Sequence, residues 1–294
     1  TNRGPVLWAG SGPNASGEAY TAVINLATGF VELNHRLSVA GTVNGATAPA
    51  AYDVDYDGDA DVVYQGDMAG NLWRFDITGT VWSHPHKLYT SSEPISARPA
   101  IVLDEDMVPN VLFGTGRFVR VADFTDTQPQ RFVSVRDEFG STTFGPGNLE
   151  DRTSDISEAE ITNGWWLWLE NGTGERVTEP AIALEGVVYF TSFAPSTEPC
   201  DAGGNSWLYR IDMRGGEPVD SDDDGSITDE SRSESLGTGV ASRPVVNLAG
   251  EELIVQTSDA RLSVEELSAA PQKVLVRAWR ERFDAAVQEQ PVPE

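Results

Sequence analysis

Gly70-Asn-Leu-Trp-Arg-Phe-Asp-Ile77 alternates apolar and polar residues behind a glycine and closes on an aspartate, and this wording returns along the chain. Gly17-Glu-Ala-Tyr-Thr-Ala-Val-Ile-Asn-Leu26, Gly116-Arg-Phe-Val-Arg-Val-Ala-Asp-Phe124 and Ser206-Trp-Leu-Tyr-Arg-Ile-Asp-Met213 repeat it imperfectly. A period of two places successive side chains on opposite faces, so each stretch reads as a β-strand.

A second unit precedes several of these, a proline opening an apolar run: Ala48-Pro-Ala-Ala51, Arg98-Pro-Ala-Ile-Val102, Glu179-Pro-Ala-Ile-Ala183 and Arg243-Pro-Val-Val246. Proline is tolerated at the first position of a strand, where its missing N–H costs no ladder bond. Another β-rich run follows each: Asp61-Val-Val-Tyr64, Asn110-Val-Leu-Phe113, Val187-Val-Tyr-Phe-Thr191 and Leu253-Ile-Val-Gln-Thr257. The order is therefore proline strand, strand, glycine strand, with Lys87-Leu-Tyr89 as a candidate fourth strand.

The Asn or Asp closing the third strand falls at Asn25, Asp76, Asp123 and Asp212. The first two gaps are close to one repeat, and the last holds two if Trp165-Trp-Leu-Trp-Leu169 occupies a unit of its own. Four strands in each repeat of about 40 to 50 residues define propeller blades. The expectation is an all-β propeller of four-stranded antiparallel blades over residues 1–287, five or six in number, some incomplete or modified. Residues 288–294 read as a mobile tail, and Trp279-Arg-Glu-Arg-Phe-Asp-Ala-Ala-Val287 as a short terminal helix. The acidic, serine-rich segments Leu149–Glu160 and Asp220–Ser235 read as surface insertions between blades.

Composition agrees with one large β domain. Of 294 residues, 39% are hydrophobic and eight are Trp, enough for a packed core. Twenty basic residues face 46 acidic ones, a net charge of −26 that repels nucleic acid and anionic lipid alike. No apolar run is long enough to insert in a membrane, so an export signal, if there is one, is expected upstream of Thr1. Cys200 is the single cysteine, so no disulfide forms within the chain.

The acidity concentrates in Asp53-Val-Asp-Tyr-Asp-Gly-Asp-Ala-Asp61. Calcium takes about six to eight hard oxygen ligands, and a loop with carboxylates at positions 1, 3, 5 and 9, a glycine at 6 and a carbonyl at 7 wraps such a sphere. Asp53, Asp55, Asp57, the Asp59 carbonyl and Asp61 fill those places, with Gly58 at the turn. Nearly all ligands come from protein, which favours Ca²⁺ over Mg²⁺. A second loop places Asp220, Asp222 and Asp224 at 1, 3 and 5, Gly225 at 6 and the Ser226 carbonyl at 7, but position 9 is Thr228. Its closure needs Thr228 through water, or Asp229 or Glu230 out of register.

Enzymatic constellations are missing from the sequence. His84-Pro-His86 has no Cys or carboxylate partner at zinc spacing, and there is neither a Gly-x-Ser-x-Gly elbow nor a phosphate-binding glycine loop. Glu179 and Glu185 make an acidic pair of the kind that 46 carboxylates supply by chance. Trp165, Trp166 and Trp168 fit blade packing better than a sugar platform.

These residues resemble the PilC/PilY-type proteins of type IV pili, in their C-terminal propeller, along nearly the whole chain. The resemblance rests on Asp53 to Asp61 followed by Tyr64-Gln-Gly-Asp-Met-Ala-Gly-Asn-Leu-Trp-Arg-Phe-Asp76, on Phe113-Gly-Thr-Gly-Arg-Phe118 with Asp123 to Gln130, and on Gly164-Trp-Trp-Leu. Gly174 to Pro180, Phe190-Thr-Ser-Phe193 and Pro199-Cys-Asp-Ala-Gly-Gly-Asn-Ser-Trp-Leu208 complete it. It implies an exported binding and assembly module, not an enzyme, at the pilus tip or outer-membrane surface. It further implies pilins and minor pilins as partners, a host or surface ligand, and calcium at Asp53, Asp55, Asp57, Asp59 and Asp61 setting pilus extension against retraction. The family's N-terminal adhesion-type region is absent here, and Cys200 is either free or paired outside the segment. Two other classes share parts of the wording. A quinoprotein-like dehydrogenase propeller repeats the Ala27-Thr-Gly29 pattern but needs adjacent cysteines and a Trp docking motif that this sequence lacks, and an integrin- or lectin-like propeller shares the calcium loop.

Overall fold

All five sheets among the described residues begin within two residues of a proline, as the missing N–H of that residue permits. The computed structural model describes residues 4–40, 43–79, 84–155, 161–196, 203–219, 227 and 231–267. The terminal helix and tail expected over 279–294 lie outside them.

The first sheet pairs β1 (Val6–Gly10), β2 (Glu18–Asn25) and β3 (Val31–Val39) in that order. The second follows the repeat read from the sequence: β4 (Ala50–Tyr52), β5 (Val62–Gly66), β6 (Asn71–Asp76) and β7 (His86–Thr90), each antiparallel to the last. The third contains β8 (Ala100–Leu103), β9 (Pro109–Gly114), β10 (Arg131–Arg136), β11 (Glu150–Asp151) and β12 (Gly164–Trp168), in spatial order β8-β9-β10-β12-β11. The fourth is β13 (Ile182–Leu184), β14 (Val187–Pro195), β15 (Gly204–Asp212) and β16 (Ser233–Thr238), and the fifth β17 (Val245–Asn247), β18 (Glu252–Gln256) and β19 (Leu262–Glu266). The protein is an all-β propeller of antiparallel blades, two of them four-stranded, with the third carrying an extra parallel edge at β11. No helix among the described residues is long and apolar enough to cross a membrane.

Four expectations need correction. Gly116–Phe124 is not a strand: after Gly116 the chain bends and closes a 3-10 turn over Val121–Thr125. The third strand of that blade is β10, so Trp165–Leu169 is no separate unit; its first four residues end β12, which pairs with β10. The wide gap before Asp212 therefore holds one enlarged blade, and the described residues form five sheets. In Leu149–Glu160, Glu150 and Asp151 pair with Trp165 and Trp166 and Arg152 is buried, and the end of Asp220–Ser235 enters β16; residues 156–160, 220–226 and 228–230 of these segments lie outside the described residues.

Both faces of the central strands are covered, which is why β5 and β9 are buried throughout and read as continuous apolar runs. Alternation sends Val63 toward the first sheet, with Ala19 and Leu37, and Val62 and Tyr64 toward the third, with Val111 and Phe113. In β9 Leu112 faces the other way, onto Val188 and Phe190 of the fourth sheet, where Phe132 stacks on Phe190 at 3.9 Å between ring centres. Val187 and Tyr189 then meet Leu253 and Val255 of the fifth. Each such side chain contributes about 1.5–3 kcal/mol on burial. The sheets approach closely where glycine allows it: a Cβ on Gly114 would lie 2.2 Å from the Val177 Cβ. Trp165 and Trp166 are buried on opposite faces of β12, as packing residues.

Polar ties cross the same seams. Buried Asp137, just past β10, accepts the Tyr64 hydroxyl at 2.7 Å and pairs with Arg74. Fully buried Asp67 accepts Ser38 Oγ and Trp73 Nε1, each at 2.7 Å, and so links the first two blades.

Candidate metal centre

The aspartate loop is the connection between β4 and β5, and its stem is closed by the Asp61 N–H donating to the Tyr52 carbonyl at 2.9 Å. The Ile77 N–H donates to the Asp61 carbonyl at 2.8 Å, which fastens the loop's end to the strand after β6. Two residues take left-handed backbone, Tyr56 at φ 59° and Gly58 at φ 98°. At the second of these a side chain would be strained, so the glycine at position 6 is a steric requirement.

The carboxylates brace the turn from inside. Asp53 Oδ2 accepts the Gly58 N–H at 2.7 Å, Asp53 Oδ1 and Asp55 Oδ1 accept the Asp57 N–H at 3.2 and 3.1 Å, and Asp61 Oδ2 accepts the Val54 N–H at 2.7 Å. One oxygen each of Asp53, Asp55 and Asp61 lies within 4.8 Å of the others. Asp57 is not in that trio; its Oδ1 accepts the Asp59 N–H at 2.8 Å, and Asp59 is exposed.

Carboxylates this close repel by about 1 kcal/mol per pair even at the dielectric of water. The negative field is felt nearby: the Tyr52 phenol is pushed well above its ordinary value by burial, with its Tyr56 neighbour and the charges of Asp53 and Asp61 adding to the effect. The donor set is all oxygen, hard and anionic, mounted on a strand pair that fixes its spacing, and it suits calcium.

Beside the loop a cleft of about 210 Å³ is lined by Val54, Asp61, Val62, Arg74, Asp76, Thr78 and Phe139. Arg74 and Phe139 reach it from different blades, so no local spacing in the sequence could have announced it. Asp220, Asp222, Asp224, Ser226, Thr228 and Asp229 of the second loop, and Cys200, lie outside the described residues. The histidines of His84-Pro-His86 turn to different neighbours: the His86 Nε2 is 2.9 Å from the Thr142 carbonyl, and the His84 ring is 6.0 Å from that of His35. Burial, and then His84, hold the His35 pKa below its ordinary value.

Comparison with known proteins places this geometry. Residues 7–97, which span the first two blades and the aspartate loop, match the PilY1 beta-propeller domain family. The type IV pilus biogenesis factor PilY1 of Pseudomonas aeruginosa strain PAO1 is 29% identical over 266 residues, covering 66% of this chain and 23% of that protein. A PilY1 homolog of Xylella fastidiosa is 25% identical over 256 residues, covering 70% of this chain and 17% of the homolog. The chain thus spans less than a quarter of the length of these relatives. The crystal structure of the Pseudomonas aeruginosa PilY1 C-terminal domain superposes with a TM-score of 0.65 at 23% identity, over 86% of this chain and 68% of that one. Family model, relatives and solved fold point the same way: the chain is a β-propeller with the fold of the PilY1 C-terminal domain, and its first two blades match the PilY1 beta-propeller family.

Proposed function

We propose that this propeller binds Ca²⁺ in the Asp53–Asp61 loop as part of a type IV pilus assembly and tip-adhesion protein that acts outside the cell. In this reading it performs no catalytic step; it works with pilins and minor pilins and with a host or surface ligand, and calcium occupancy biases extension against retraction. Asp53, Asp55, Asp57 and Asp61 supply carboxylates and Asp59 its carbonyl, with Asp220, Asp222, Asp224, Ser226, Thr228 and Asp229 read as a second, looser site. Similarity to PilY1 relatives supports the pilus setting. The observation that carries the metal is the gathering of the Asp53, Asp55 and Asp61 oxygens within 4.8 Å.

A ligand that binds only the folded chain stabilises it by RT ln(1 + [L]/Kd), about 2.7 kcal/mol at a hundredfold excess over Kd. The melting temperature should therefore rise with free calcium. Calorimetric titration of the wild type and of an Asp53→Asn/Asp61→Asn double variant counts the sites and locates them together. Equal melting temperatures in calcium and in chelator would refute the reading.

A further inference from the structure

Between the second and third strands of a blade the chain has only to reverse direction, and the second blade does so in residues 67–70. The same connection in the third blade, from β9 to β10, runs through residues 115–130. The added length is tightly built. Fully buried Asp123 accepts the N–H groups of Val119 and Arg120 at 3.0 and 3.1 Å and the Nε–H groups of Arg117 and Arg120 at 3.1 and 3.0 Å. Behind the loop, Arg176 is 2% exposed and donates to the carbonyls of Gly174, Arg117, Asp123 and Asp126 at 2.8, 2.8, 2.9 and 2.6 Å. Phe118 packs edge-on against Phe124 and Phe193, at 4.6 and 5.0 Å between ring centres.

This scaffold holds apolar side chains out in water: Val119, Val121 and Phe124 are 44%, 86% and 41% exposed. A sheet reversal needs none of them, and a solvated turn is ordinarily polar. Clustered exposed apolar residues on a preorganised support are the pattern of a recognition hot spot, because little conformational entropy remains to be lost on binding.

We propose that the 115–130 loop is a docking knob that seats Val119, Val121 and Phe124 in an apolar socket of a basic protein partner. The partner class follows from charge. Within residues 115–130 the charges of Arg117 and Arg120 are matched by those of Asp123 and Asp126, Arg176 is buried behind the loop, and the long-range field is that of a chain with net charge −26. That field repels a second copy and an anionic bilayer, and it speeds encounter with a cationic protein. The knob and the aspartate loop leave opposite ends of the antiparallel ladders, one from a second-to-third connection and the other from a first-to-second, so the two act independently.

The test places a photoreactive benzoyl-phenylalanine at position 121 of the full-length protein in the cells that produce it. The expected product is an adduct with a basic protein, joined at an apolar residue of that partner. Titration of the purified partner should then show a loss of at least tenfold in affinity with Val121→Asp or Val119→Asp and no change with Asp61→Asn, with melting temperatures of the variants confirming the fold. No adduct, an adduct with lipid, with a second copy or with an acidic protein, or an affinity that Val121→Asp leaves unchanged, would overturn the proposal.

Discussion

Asp53 and Asp104 stand at the head of the same turn in successive blades, and their surroundings show what each loop requires. Asp104 Oδ1 accepts the N–H groups of Asp106 and Val108, while its Oδ2 meets Arg136 Nε at 2.7 Å. Burial works against its charge, but Arg136 and those N–H groups prevail and hold its pKa below the usual carboxylate range. A guanidinium neutralises that loop from within. Asp53, Asp55 and Asp61 have no such ion pair among the described residues, and in the proposed reading a cation from solution takes that place. Bracing and ligation can then be told apart by mutation. Asp53→Ala removes the acceptor of the Gly58 and Asp57 N–H groups and should cost about 1 kcal/mol in chelator. Asp55 is exposed and shares only one of those bonds, so Asp55→Ala should be close to neutral in chelator, and both variants should lose the calcium-dependent increment. Urea midpoints with and without calcium check both statements, and equal costs for the two variants in chelator would contradict the bracing role of Asp53.

At the scale of elements, the strands announced themselves and one loop imitated a strand. The proline runs and the central strands were legible because burial on both faces leaves little choice of residue, and β5, β9, β14 and β18 fall where their apolar runs lie. The gathering of Asp53, Asp55 and Asp61 was legible for a simpler reason, since these carboxylates lie within nine residues of sequence. Arg117-Phe-Val-Arg-Val121 also alternates, but its two arginines are drawn onto the Asp123 carboxylate, and that bond lies in the loop's tertiary geometry, not in its period. The cleft beside the aspartate loop was hidden because Arg74 and Phe139 come from different blades. The Asp123 cluster makes a pH prediction. Burial alone would raise its pKa, but the Val119 N–H, then Arg120 and Arg117, outweigh it and hold the carboxyl below its ordinary value. The unfolded chain therefore takes up this proton first, so the contribution is complete above the unfolded value of about 3.9 and is lost as pH falls through the lower folded one. Asp123→Asn should destabilise the neutral protein by about 1–3 kcal/mol, and its deficit against the wild type should shrink on acidification below about pH 4. Arg176→Met, which strips the donor from four carbonyls, should cost about 3 kcal/mol with no such acid limb. Denaturant midpoints measured across that range distinguish the two, and a constant Asp123→Asn deficit would refute the assignment.

Across the whole molecule, five sheets share four apolar clusters, each joining one blade to the next. None of the four joins the first sheet to the fifth among the described residues. The consequence is visible on the outer faces. Val245, Ile254 and Val264 lie in register across β17, β18 and β19, and Val245 and Val264 are 52% and 49% exposed, whereas Leu253 and Val255 on the other face are each 1% exposed. On the first sheet the register row Leu7, Ile24 and Val31 is likewise open, with Leu7 and Val31 49% and 59% exposed. A stack of units that touch only their neighbours gains stability from each interface, so the sheets with one interface should open more readily than those with two. Substitution on the two faces of the fifth sheet isolates this effect in a single element. Leu253→Ala should cost about 2–4 kcal/mol, because it empties space between β18 and the fourth sheet. Val264→Ala, on the open face, should cost under about 1 kcal/mol. Amide exchange should be slowest in β5, β9 and β14 and fastest in β1 and β19. Uniform protection across the five sheets, or equal costs for the two substitutions, would mean that the outer faces are covered by contacts these exposures do not contain.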